Sequence, residues 1–173
     1  MANAARWIRL VRSDRVSLRA TYAGFAQAQP PRAAPTLFWA GDGEDCFAFA
    51  LVVPLRLAPG RRWRWRAWAL APSIATYRQF GARAYLDGDD LWLCGRRIAA
   101  SEAAAIGGCA VVASSFLPRL PQACADWTER NVADAFRSRI EAQHGWEFDH
   151  SWPSADEHAA ISDARALEAA GAT

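Results

Sequence analysis

Residues 46–53 form an unbroken apolar run, Cys-Phe-Ala-Phe-Ala-Leu-Val-Val, directly after the turn-forming segment Gly-Asp-Gly-Glu-Asp at 41–45. The run has the length of a β-strand and lacks the alternation of polar and apolar residues that marks a half-exposed strand. A continuous apolar strand of this kind is typical of a sheet that is covered on both faces. The sequence therefore predicts a sheet with at least one fully buried strand.

Other segments predict further strands. Residues 36–39 and 109–116 are apolar and are bounded by residues that interrupt regular structure, among them Gly107 and Pro118. Residues 84–86 and 91–94 are predicted as two strands joined by the turn Asp-Gly-Asp at 87–89, and residues 94–96 turn the chain into a strand at 97–101. This β-rich part of the chain ends at Pro121.

Helices are predicted at both ends of the chain. A polar residue at 13 or 14 can cap a helix that runs to about residue 29, with apolar residues at helical spacing on one face. Near the carboxyl end, Asp126 with Glu129 and Ser154 with Glu157 have the spacing of capping boxes, and each pair precedes a helical segment. We expect the first of these helices to end at Gly145.

Residues 61–70 fit two interpretations, because Arg and Trp alternate at 62–66 as in a strand while the later apolar residues also suit a helix face. Pro72 is expected either to interrupt a helix or to begin a new one at its first turn, and a helix from about residue 72 to 80 fits the sequence. The arginines at 61–66 can contact phosphates, although a solvated basic face is the more ordinary explanation.

Composition indicates one domain over residues 1–173, divided into a core at 1–121 and a helical extension at 122–173. The net charge of +2 gives no indication of a nucleic-acid partner, and no apolar run is long enough for a membrane helix. The four cysteines show no CxxC spacing, and the first residues lack the apolar segment of a signal peptide. We therefore expect a cytoplasmic protein with reduced thiols. The oligomeric state is left open.

The chain contains no lysine, and all 20 of its basic residues are arginines. A genome rich in G and C replaces lysine by arginine wherever only a positive charge is needed. The replacement is not neutral in a reactive site, because arginine stays protonated and its planar guanidinium donates hydrogen bonds in a fixed geometry.

Residues 89–101, Asp-Asp-Leu-Trp-Leu-Cys-Gly-Arg-Arg-Ile-Ala-Ala-Ser, resemble the signature hairpin of the biotin/lipoate protein ligase and octanoyltransferase superfamily. The resemblance extends over about residues 36–118. It implies an α+β fold with a mixed, mostly antiparallel sheet, helices packed on one side and additional carboxyl-terminal helices. ATP, biotin and lipoate or octanoate are implied by the resemblance only, as is an acyl-type small molecule or an acyl carrier domain as partner.

The resemblance also implies where a ligand would bind. The family's hairpin lysine contacts the acyl carbonyl, and Arg97 occupies that position here. The implied ligand-binding residues are in and around the hairpin: Asp90, Arg96, Arg97, Ala99, Ala100 and Ser101, with Ser115 in the later strand and Trp65 and Trp68 beside the groove.

Several residues depart from the family pattern. Besides Arg97 for lysine, Ala100 stands where the family has a small glycine, and the segment before the hairpin lacks the lysine and asparagine of biotin ligases. No glycine- and arginine-rich adenylate loop is recognisable between residues 30 and 49, and the His-Gly-Ser of lipoate ligases is Ala-Ser-Ser at 113–115. These departures concern the reaction more than the fold.

Three functions are therefore compatible with the sequence. The first is a ligase-like protein that binds a ligand or carrier domain without ordinary ligase catalysis. The second is an acyltransferase with a cysteine nucleophile, Cys109 or Cys124, and Arg97 as its electrostatic partner. The third is a non-enzymatic interaction module whose groove is filled by tryptophans. An open apolar cleft ending at Arg97 favours the first two, and a filled groove favours the third.

Two groups of residues carry side chains of the kinds that bind metal ions. Asp87, Asp89 and Asp90 can hold Mg²⁺ beside a nucleotide, but aspartates are also ordinary turn formers. The spacing of His144, His150 and His158 matches no zinc-binding pattern. We expect these three histidines to lie at the surface and to flank a turn. No metal site is predicted.

Overall fold

The computed structural model describes residues 7–13, 17–30, 32–41, 47–116 and 128–171. Nine strands and four helices lie in this part of the chain, with a short 3₁₀ turn, Arg62–Arg64, before the second helix. In chain order the elements are β1 (Trp7–Arg12), α1 (Leu18–Ala28), β2 (Thr36–Gly41), β3 (Phe47–Pro54), α2 (Trp65–Gln79), β4 (Ala84–Asp87), β5 (Asp90–Leu93), β6 (Arg96–Ala100), β7 (Glu102–Ile106), β8 (Cys109–Ser115), α3 (Glu129–His144), β9 (Glu147–Asp149) and α4 (Ala155–Gly171).

The main sheet has six strands in the order β7-β8-β3-β2-β1-β9, and β4, β5 and β6 form a separate three-stranded sheet. β1 pairs in parallel with β2 and β9, whereas every other pairing in the two sheets is antiparallel. The predicted α+β class with a mixed, mostly antiparallel sheet is confirmed.

Both faces of the main sheet are buried. Along β2, Leu37 and Trp39 pack with α2, α3 and the three-stranded sheet, whereas Phe38 packs on the opposite face with α1 and α4. β3 alternates in the same way between Leu51 and Val52, as expected for a strand buried on both sides. The expectation of helices on one side only was wrong, because α1 and α4 cover the face opposite α2 and α3.

The ambiguous segment before Pro72 is helical, since α2 begins at Trp65 and continues through Pro72. Pro72 neither interrupts a helix nor begins one, so both alternatives expected from the sequence were wrong. A proline inside a helix removes the hydrogen bond to the carbonyl four residues earlier, here that of Trp68. The side chain of Gln143 on α3 donates to this carbonyl oxygen at 3.4 Å. A neighbouring helix thus supplies the donor that Pro72 lacks.

The helix starts follow the predictions in part. Ser154 and Glu157 form the predicted capping box: the Ser154 N–H donates to Oε2 of Glu157 at 2.6 Å, and the Glu157 N–H donates to Oγ of Ser154 at 3.3 Å. For α3 the cap is Thr128, whose hydroxyl accepts from the Asn131 N–H, and the predicted cap Asp126 lies outside the described residues. The first helix begins at Leu18, later than expected.

Three strands were not predicted. β1, β7 and β9 are short and have mixed polarity, so their local sequence lacks a strand signal. Among the described residues, no helix is long and apolar enough to cross a membrane.

Candidate functional site

The predicted hairpin is present as β5 and β6, joined by a turn at Cys94 and Gly95. Both turn residues have positive φ, 49° and 79°. A two-residue turn with this geometry matches the twist of the two strands that it connects. Gly88, also with positive φ, makes the preceding turn between β4 and β5.

Arg97 forms an ion pair with Asp90 across the hairpin. Its Nε lies 2.8 Å from Oδ2 of Asp90, and the side chains are 57% and 28% exposed. A β-bulge between Leu91 and Trp92 places Arg97 opposite Trp92, on the outer face of the three-stranded sheet. Tyr85 is the next residue across on that face, and its ring is nearly parallel to that of Trp92. The outer face therefore presents an aromatic pair beside a charged pair.

Backbone and side-chain hydrogen bonds hold the hairpin against the rest of the molecule. The Ser101 hydroxyl donates to the Asp89 carbonyl, and the Ser114 hydroxyl donates to the Ala100 carbonyl at 3.3 Å. Nη1 of Arg66 on α2 lies 2.6 Å from Oδ1 of Asp89. Ser114 had not been singled out from the sequence, because only the fold brings β8 beside β6.

Two of the three carboxylates around the turn between β4 and β5 have cationic partners, since Asp89 pairs with Arg66 and Asp90 with Arg97. Among the described residues, no group of histidine, cysteine and carboxylate side chains is arranged to hold a metal ion. Arg62 donates to the Ala103 carbonyl at 3.1 Å, so it too binds a neighbouring strand. The ion pairs of Asp89 and Asp90 thus favour a role in positioning the hairpin over a role in metal binding.

The remaining implied ligand-binding residues do not lie together. Ala99 is buried on the inner face of the hairpin, whereas Arg96 and Ala100 are exposed. Ser115 is half-buried at the end of β8. Trp65 is 5% exposed and its indole N–H donates to the Pro59 carbonyl.

Trp68 contacts His144 and Trp146, with ring centroids 4.6 and 5.9 Å away, at the junction of α2 and α3. Burial lowers the pKa of His144 to about 4. The expectation of a surface histidine was therefore wrong for His144, although His150 and His158 are exposed.

Apolar side chains fill the space between the hairpin and the main sheet. Leu91, Leu93 and Ala99 from the hairpin belong to one buried cluster that contains seven aromatic residues, Trp39, Phe49, Trp65, Tyr77, Phe116, Phe136 and Trp146. Several of these rings are in direct contact, for example Phe49 and Phe136 at 4.8 Å between centroids. A separate small cavity of about 30 Å³ lies between β1, β2 and α3, beside Trp39, and holds about two water molecules. Among the described residues, the inner side of the hairpin is thus occupied by packed apolar side chains.

The candidate nucleophile Cys109 faces away from the hairpin. It is 1% exposed and packs with α1 and α4 on the opposite face of the main sheet. Burial raises the pKa of its thiol to about 11, which disfavours the thiolate that would act as nucleophile. Cys124 lies outside the described residues. Cys94, in the hairpin turn, is exposed.

Solved structures of other proteins share the fold of this chain. The described structure superposes on a lipoate protein ligase from a bipartite archaeal lipoylation system of Thermoplasma acidophilum with a TM-score of 0.76, 9% identity, and coverage of 95% of this chain and 93% of that one. The chain has the biotin and lipoate ligase fold. This fold assignment confirms the resemblance inferred from the hairpin.

Two further structures support the ligase fold. A lipoate-protein ligase A bound with ATP gives a TM-score of 0.71 at 9% identity, with 94% of both chains covered. A biotin acetyl coenzyme A carboxylase synthetase from Helicobacter pylori, bound to biotinylated ATP, gives 0.58 at 15% identity, covering 79% of this chain and 75% of that chain. No protein-family model and no curated protein matches the sequence. The likeness to ligases is thus one of fold.

Proposed function

We propose that this ligase-fold protein binds a lipoyl- or biotinyl-type carrier domain through the outer face of its hairpin, without ordinary ligase catalysis. The observation that carries the proposal is the ion pair between Arg97 and Asp90. Arginine replaces the lysine that the family resemblance places at this position, and its Nε is held by a carboxylate. The guanidinium therefore adds fixed charge to an exposed surface.

The shape of the site favours a protein partner over a small acyl ligand. Aromatic side chains fill the inner side of the hairpin, and the outer side presents Tyr85, Trp92 and Arg97 on a sheet face. Aromatic residues and arginine are enriched where one protein binds another. One structural neighbour was described together with its E2 lipoyl domain, which makes a carrier domain the first partner to test.

The catalytic part of the proposal is tested by mass spectrometry. The protein is incubated with ATP, lipoate or biotin, and a purified lipoyl or biotinyl carrier domain. We expect no mass increase on the carrier. A lipoyl or biotinyl adduct on the carrier overturns the proposal. Octanoyl-loaded acyl carrier protein is added in a parallel reaction, where a thiol-sensitive adduct on a cysteine would instead support the acyltransferase function.

The binding part is tested by calorimetric titration of the same carrier domains. We expect Arg97→Ala to weaken binding about tenfold, which corresponds to about 1.4 kcal/mol. Arg56→Ala removes an exposed arginine beyond the far end of β3 and serves as the charge-matched control. Failure of the wild-type protein to bind either carrier, or an equal loss in both variants, contradicts the proposal. Exposed ion pairs contribute only ~0–1 kcal/mol to stability, so Arg97→Ala should remain folded.

A further inference from the structure

A second concave surface lies at the β1 edge of the main sheet, mainly on the face that α1 and α4 cover. It has a volume of about 380 Å³, within the range of small-molecule sites. Four parts of the chain enclose it: the end of β1, the segment after β9, α1 and α4. The lining residues that matter for its chemistry are Val11, Arg12, Trp152, His158, Ile161 and Arg165.

The cavity lies at an edge of the main sheet. β9 pairs with β1 only at Trp7, Ile8 and Arg9, and the chain then leaves the sheet toward α4. Beyond Arg9, the outer edge of β1 has no partner strand within the described residues. Edge strands expose backbone groups that can bind another molecule.

The charges around the cavity favour an anion. Arg12 and Arg165 both line it, and none of its described lining residues is acidic. Nε and Nη2 of Arg165 donate to the Thr21 hydroxyl at 3.1 and 2.9 Å, which holds this guanidinium at the cavity wall. Glu157, on the same helix, already binds Arg9 and Gln29. Its charge is thus compensated outside the cavity.

The apolar residues of the cavity favour an anion that also carries an apolar organic group, the body of the ligand. Val11 and Ile161 are buried members of the core beneath it. Trp152 lines the cavity and is 87% exposed. An indole ring in this position offers a flat apolar surface to a ligand.

We infer that this cavity binds a small organic anion with a ring or short acyl body and a phosphate or carboxylate head. Arg12 and Arg165 bind the head, because a guanidinium can donate two hydrogen bonds to either group. Trp152 covers the body against Val11 and Ile161. The inference uses none of the hairpin residues and stands independently of carrier-domain binding.

The test uses four probes that vary body and head separately: phenyl phosphate, benzoate, adenosine monophosphate and octanoate. Binding is measured by ligand-observed NMR and calorimetry. At least one probe should bind with a Kd below about 1 mM. The bound head group then identifies whether phosphate or carboxylate is preferred. Failure of all four probes to bind overturns the inference.

Variants locate the binding. We expect Arg12→Gln to lower the affinity for the bound probe at least tenfold and Trp152→Ala to lower it severalfold. Thermal unfolding should show that both variants are folded. Arg83→Gln, on the other side of the sheet, is the charge-matched control and should have no effect. Loss of binding in Arg97→Ala with retention in Arg12→Gln would place the ligand on the hairpin and overturn the inference.

Discussion

Arg9 on β1 and Glu157 on α4 form a bidentate ion pair, with Nη1 2.7 Å from Oε1 and Nη2 3.0 Å from Oε2. Gln29, which follows α1, donates to the same carboxylate at 2.8 Å, and the Ser154 N–H donates to it as part of the capping box. One carboxylate therefore joins the sheet edge, the first helix and the last helix. The guanidinium also donates to Ser151 and to the Trp152 carbonyl, which positions the wall of the cavity.

Replacement of Glu157 by Gln should lower the free energy of unfolding at neutral pH and should make it depend less on pH in the acid range. Burial by itself raises the pKa of Glu157. Hydrogen bonds from Arg9, Gln29 and Ser154, together with the charge of Arg9, outweigh this effect and lower the pKa from 4.5 to about 2. The unfolded chain therefore binds the proton more tightly than the folded one. The resulting stabilisation, about 3 kcal/mol, is fully present above pH 4.5 and is lost as the pH falls toward 2.

Urea unfolding at several pH values checks this. Glu157→Gln should be less stable than the wild type at pH 7, and the difference should shrink toward pH 2. Glu168→Gln on the exposed face of the same helix is the control, with little expected change. An equal pH dependence in Glu157→Gln and wild type would contradict the role of this ion pair.

Gly24 should not tolerate alanine, because α1 and α4 approach each other there. A Cβ at Gly24 would lie 2.3 Å from the carbonyl oxygen of Ala160. That atom belongs to the backbone of α4 and cannot move aside without shifting the helix. We expect Gly24→Ala to lower the free energy of unfolding by about 1–3 kcal/mol or more. Gly60→Ala is the matched control, since nothing lies within 4 Å of its added Cβ. Similar chemical denaturation curves for both variants would show that the helices are not packed this closely.

Replacement of His144 by Phe should make folding less sensitive to mild acid. Burial holds the pKa of His144 near 4, below its usual value of 6.5, and its Nε2 has no hydrogen-bond partner among the described residues. As the pH falls from 6.5 to 4, the unfolded chain takes up a proton that the folded chain does not, so the wild type loses stability in this range. Thermal unfolding across these pH values should show a smaller loss for His144→Phe. His150→Gln, at an exposed position, should behave as the wild type does.

Cys94 and Cys109 should differ sharply in alkylation. Cys94 is exposed in a turn, whereas the thiol of Cys109 is buried and its pKa is raised to about 11 by burial. Iodoacetamide at pH 8 should modify Cys94 in the folded protein and reach Cys109 only after denaturation. Peptide mapping by mass spectrometry separates these sites from the other two cysteines. Rapid native modification of Cys109 would contradict its placement behind the main sheet.

Features that depend on neighbouring residues could be predicted from the sequence. The Ser154–Glu157 capping box, the positive-φ turn at Gly95 and the apolar strand β3 depend on contacts within a few residues or on a burial pattern within one segment. The hairpin, together with the order of the predicted elements before and after it, indicated the ligase fold. The positions of Arg97 and Asp90 in one hairpin follow from that local structure.

Contacts between distant segments decided the rest. β1 is a strand because it pairs with both β2 and β9, and β9 is a strand because it pairs with β1. Pro72 is accommodated within α2, where Gln143 donates to the Trp68 carbonyl. The cavity between β1, α1 and α4 likewise has no signature in any one segment. Short-range signals determine the conformation of a turn or a cap, since both interacting groups lie close in the chain. Long-range packing determines which edges pair and which groups meet, because that free energy exists only once the helices and sheets are assembled.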